Sequence, residues 1–132
     1  MTAAKQLTPP LVKLINTGVD FDSRMPNRLR QAWQRIIDEK LFLWLQHPEQ
    51  LEDDDQIAPT GTVVRIAMDI AERVRDAGMP PPGSVTVDSN GGIVFERRDG
   101  EEAEVIHVWD DQTVDFLKFR GSQLIFRSPL SY

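Results

Sequence analysis

The chain has 132 residues, 40% hydrophobic and 27% charged, with no cysteine; this suits one domain around a single core and excludes disulfides, thiolate metal sites and a thiol nucleophile. Twenty-one acidic against fifteen basic residues leave a net charge of −6, which works against nucleic acid, whose binding proteins carry a basic surface. The longest apolar run, residues 41–45, is far short of the roughly 20 residues that cross a bilayer. Neither nucleic acid nor membrane is therefore expected as a partner.

Residues 1–7 carry no pattern and are expected to be disordered. "TPPLVKLINTG" (residues 8–18) has the parts of a short helix, with Thr8 to cap it, Pro9 at its first position, Gly18 past its end, and Leu11, Leu14 and Ile15 as its buried stripe. A long helix is expected over residues 24–46, capped by Asp22 or Ser23, with Pro26 in its first turn. Leu29, Trp33, Ile36, Ile37, Leu41 and Trp44 recur there at three- and four-residue spacing, which marks one apolar face. His47-Pro48 ends it, because the residue before proline avoids helical geometry. An acidic loop (residues 48–61) leads to a second long helix over residues 62–77, with Val63, Ile66, Ala67, Ile70 and Val74 on one side. Gly78 closes that helix, and Pro80-Pro81-Pro82 forbids its continuation.

Beyond the prolines the period changes from about 3.6 to 2. "SVTVD", "GIVFERR", "EEAEVIHVW", "TVDFLKF" and "QLIFR" read as five strands, separated by Asn90-Gly91, Asp99-Gly100, Asp110-Asp111 and Gly121-Ser122. Asn-Gly and Asp-Gly favour type I′ hairpins, in which both central residues take positive φ. Connections this short require antiparallel neighbours in chain order. The expected fold class is α+β: N-terminal helices, one short and two long (residues 8–78), followed by a five-stranded antiparallel β-meander (residues 83–127), all in the single domain 1–132.

No cluster of residues points to catalysis, a metal or a cofactor. His47 sits at a helix end, where a cation complements the dipole. His107 lies mid-strand and shares a face with Val105 and Trp109, the setting of a hydrogen-bonded core histidine. Neither has a second histidine at metal spacing. The run Glu52-Asp53-Asp54-Asp55 lacks the alternating ligands and central glycine of a calcium loop and reads as solvated charge. Ser84, Ser89 and Ser122 fall at turns or strand starts, outside any nucleophile elbow.

The strands carry apolar residues on both faces, where a half-exposed antiparallel sheet should alternate apolar with polar. One face is expected to pack on the long helices. The other is left to the first helix and the chain's tail, to a sister subunit, or to a protein partner. "QLIFR" invites strand pairing as an exposed edge. The leading expectation is thus a non-catalytic protein-binding or accessory protein of the cytosol, antitoxin- or immunity-like, acting through a sheet face or edge. Ile106, Val108, Leu117 and Ile125 would form one contact face, and Asp53, Asp54 and Asp55 would steer the encounter. The alternative is a small enzyme or ligand-binding domain with a deep pocket between helices and sheet near His107, Glu96 and Trp109.

The stretch "PPPGSVTVDSNGGIVFE", preceded by "DDDQIAPTG" and a helix, carries a resemblance. From about residue 54 to 127 the chain resembles a family of small bacterial proteins of unknown function, built as a helix, a proline-rich break and a strand of the form P-x-V-x-x-(polar)-x-G-G-I-x-(F/L)-E. Arg97 stands where that family commonly has an aromatic residue. The resemblance implies the order helix, break, sheet, and brings no catalytic residue with it.

Overall fold

The structure is a computed structural model that describes residues 26–51 and 57–131. The short helix expected over residues 8–18, residues 1–7, the caps Asp22 and Ser23 and the acidic residues 53–55 lie outside them.

Helix α1 (residues 27–46) is continuous but not uniform: α-helical Asn27–Arg35 passes through a π-helical turn, Ile36–Leu41, into α-helical Phe42–Gln46. Pro26 sits just outside the first turn in an extended conformation, and its carbonyl accepts from the Leu29 and Arg30 amides. The helix therefore starts later than expected at residue 24. In the π turn the Phe42 amide reaches back five residues to the Ile37 carbonyl. Trp33, Ile37, Leu41 and Trp44 are buried, with Leu29 and Ile36 packed beside them: the expected stripe. His47 leaves the helix, and Pro48–Leu51 forms one 3₁₀ turn.

Helix α2 (Gly61–Asp76) begins at Thr60, whose Oγ1 accepts the Val63 amide at 3.2 Å, an N-cap bond. It ends in a Schellman motif. Gly78, at φ 89°, donates to the Arg75 carbonyl, and Met79 donates to that of Val74. Met79 and Val74 are both buried, which supplies the apolar contact such endings use.

The five strands are β1 (Ser84–Val87), β2 (Ile93–Asp99), β3 (Glu102–Val108), β4 (Val114–Arg120) and β5 (Gln123–Leu130), all antiparallel and adjacent in chain order. The chain is thus α+β with a five-stranded antiparallel sheet, and the described residues hold two helices rather than three. The turns differ from expectation. Gly91, Gly100 and Gly121 have positive φ, whereas Asn90 and Asp99 do not, so Asn90-Gly91 and Asp99-Gly100 are not type I′ loops. Gly100-Glu101 and Gly121-Ser122 follow the type II′ pattern, with glycine first. The β1–β2 connection is longer and is organised by Asp88, as described below.

Both helices join the sheet through one buried cluster, which takes Val85, Ile93, Phe95, Ile106, Val108, Val114, Phe116 and Leu130 from the same sheet face. Trp33 stands at its centre. Its ring lies 6.2 Å from that of Phe95, and its indole N–H donates to the Met79 carbonyl at 2.7 Å. Ala103, Val105 and Leu117, from the opposite face, are buried as well but stand outside that cluster. No helix among the described residues is long and apolar enough to cross a membrane.

Because an L side chain at positive φ costs roughly 1–2 kcal/mol, Gly78→Ala should lower the unfolding free energy by about that amount, read as a shift in the urea midpoint at unchanged m-value.

Candidate functional site

The register separates residues that the sequence reading had grouped. Ile106 pairs with Phe116 and Phe95, and Val108 with Val114 and Ile93; all six belong to the helix-covered cluster. Leu117 pairs with Val105 and faces the other way. Side chains alternate across a sheet, so Ile106, Val108 and Leu117 cannot share a face, and the first two are spent on the core. Ile125 is the extra residue of a bulge: Lys118 pairs with Phe126 and Phe119 with Leu124, which leaves Ile125 between them. Asp53, Asp54 and Asp55 lie outside the described residues.

The same alternation moves the expected pocket. Glu96 pairs with Val105, and His107 with Val94 and Asp115, on the face turned away from the helices. A cavity between helices and sheet therefore cannot include them. The space at that junction measures about 20 Å³ and is lined by Trp33, Met79, Pro80, Phe95, Arg97 and Glu104, room for a single water.

On the outer face a chain of polar contacts crosses the sheet from β1 to β5. Asp88, just past β1, accepts the Asn90 and Gly92 amides on Oδ1, each at 2.8 Å, the Asx-type bonding that organises tight loops. Its Oδ2 stands 2.6 Å from His107 Nε2; a carboxylate can only accept, so that ring nitrogen carries the proton. The His107 ring stacks on Trp109 with centroids 3.5 Å apart and planes 14° apart. The Trp109 indole donates to Asp115 Oδ2 at 2.9 Å, and Arg127 reaches the same oxygen at 2.8 Å. Burial raises the Asp88 pKa, but the His107 bond and the two amides outweigh it and hold the carboxyl below its usual range. Gly92 is required by this close approach: a Cβ there would come within 2.3 Å of Asp88 Oδ2 and 2.7 Å of the Val108 carbonyl. Among the described residues no group of three or more His, Asp or Glu side chains is placed to hold a metal ion.

The two sheet edges are unlike. β1 has four residues, follows three prolines and turns directly into the Asp88 loop. β5 has eight residues and, among the described residues, pairs with β4 alone. Its centre exposes Leu124, Ile125 and Phe126 at 46%, 41% and 40%. Phe126 packs edge-on against Phe116, 6.3 Å between centroids. Around this strand stand Arg127, Arg120 and Lys118; the last two share Glu102, at 2.9 and 3.4 Å.

No family model, curated protein or solved structure matches the chain. The site is accordingly read from its own geometry. Sequence reasoning found His107 and the "QLIFR" edge but missed Asp88 as the partner of His107. The available signal was the aspartate two residues before Asn90, the start of an Asx turn. Asp115 and Arg127 carried no local signal, since only strand register brings them to Trp109.

Asp88→Ala should cost about 2–3 kcal/mol at pH 7, the scale of hydrogen bonds to a charged group. Because the folded pKa lies below the unfolded one, near 3.9, this stabilisation is complete above that value and is lost as pH falls through the folded pKa. The gap between variant and wild type in chemical denaturation should narrow steadily below about pH 4.

Proposed function

We propose that the chain is a non-catalytic protein-binding module that engages an extended segment of another polypeptide along β5. The observation that carries this reading is the exposed Leu124-Ile125-Phe126 stretch on a long edge strand. An edge strand presents unpaired amides and carbonyls, and proteins ordinarily blunt it with charge, shortness or proline. β1 is blunted in that way. β5 has its bulge at Ile125 and Pro129 near its end, and it still keeps three large apolar side chains, Leu124, Ile125 and Phe126, in water. Burying each is worth about 1.5–3 kcal/mol, and main-chain bonds to an added strand would bring affinity as side-chain pockets bring selectivity. The outer-face polar chain is structural in this reading: it ties the β1 end, β3, β4 and β5 into one rigid platform.

Ile125→Lys tests this. The residue is exposed and lies outside the core cluster, so stability should stay within about 0.5 kcal/mol of wild type. Loss of the partner recovered with the wild-type chain from native cells, with folding intact, is the expected result. Retention of that partner at wild-type yield overturns strand addition at β5.

A further inference from the structure

Resting on the β5 reading, we infer the chemistry of the segment: an extended apolar stretch flanked by carboxylates. Two exposed guanidinium groups bracket the apolar centre of the edge. Arg120, at the end of β4 beside the turn into β5, is 62% exposed, and Arg127, one residue beyond Phe126, is 59% exposed. Lys118 pairs directly with Phe126 in the register. The carboxylates that meet these cations are Glu102, shared by Lys118 and Arg120, and Asp115, which also takes the Trp109 indole N–H. Three cations therefore stand against two carboxylates, and the Arg120 and Lys118 side chains hold the Glu102 carboxyl below its usual range. The edge is a locally basic rim on a chain whose net charge is −6.

Locality decides which of these charges a docking segment senses. At physiological ionic strength the screening length is about 8 Å, so a strand on β5 senses the groups beside it, Arg120, Arg127 and Lys118 with their partners Glu102 and Asp115, more than the distant charges of the chain. This argues against a second copy as the occupant. A β5–β5 pair about a twofold axis near Phe126 would set the two Arg127 residues on diagonal positions of one face, where like charges destabilise. An acidic-flanked apolar segment places its side chains on Leu124, Ile125 and Phe126 and its carboxylates on the two arginines.

The test uses two fluorescein-labelled hexapeptides of alternating valine and threonine, one ended on both sides by aspartate and the other by lysine. They are titrated into the full chain by anisotropy at 50 mM salt, with amide resonances of residues 123–128 followed in parallel. The aspartate-ended peptide should bind about fivefold or more tightly than the other, the combined effect of two exposed ion pairs, and should shift the β5 amides. The double variant Arg120→Gln, Arg127→Gln should erase the preference while keeping binding. Equal affinity for both peptides, or a preference for lysine, overturns this inference and leaves strand addition standing. Perturbation by neither peptide overturns both. β5 shifts that follow protein concentration alone identify a second copy as the occupant and overturn the acidic segment.

Discussion

The fold turns on the bond from the Trp33 indole to the Met79 carbonyl. Met79 is the residue at which α2 has just ended and the proline segment has just begun, so this contact joins α1 to the joint between helical and sheet halves. A backbone carbonyl buried there without a donor would carry a desolvation cost of roughly 1–3 kcal/mol. Trp33 supplies the donor and, with the same ring, the apolar surface against Phe95. Once that joint is fixed, the direction in which β1 leaves the prolines is fixed too. The sheet then presents to the helices the face that carries Val85, Ile93, Phe95, Ile106, Val108, Val114, Phe116 and Leu130.

That choice of face has a consequence for the opposite side. His107, Asp115 and Arg127 are forced outward by alternation, and each is given a partner there: Asp88, the Trp109 indole and Asp115 respectively. Among the described residues, no buried side-chain nitrogen or oxygen is left without a hydrogen bond. The polar chain does for the outer face what Trp33 does for the inner one, fixing strands that short loops alone would hold only in pairs.

How far the sequence reveals this architecture follows from what kind of information each feature uses. The apolar stripe of α1, the Gly78 ending and the five strands with their antiparallel order are local or near-local, and all are legible. The π turn is not, since its extra residue leaves the buried stripe at ordinary helical spacing. Turn type departs from expectation because Gly91 and Gly100 adopt positive φ while Asn90 and Asp99 do not. The contact face failed for a different reason. Parity within one strand is readable, and Ile106 and Val108 do share a side; parity between strands depends on the lengths of the connecting loops, so the side of Leu117 could not be matched to theirs. A bulge adds one residue to that count, which is why Ile125 could not be assigned. The edge character of β5 was legible from its position after the last turn, whereas the placement of Arg120 and Arg127 around its apolar centre required the register.

The strict chain order of the meander also governs when the β5 edge comes into being. Hairpins form in about 1–10 μs, while synthesis adds only 5–20 residues each second. Each strand from β2 to β4 can therefore pair with its predecessor long before the next emerges from the ribosome. The three exposed apolar residues of β5 thus follow the other four strands in the chain, and β4, their neighbour in the sheet, is made before them. The strand with the exposed apolar centre is in this way the last of the five to be synthesised.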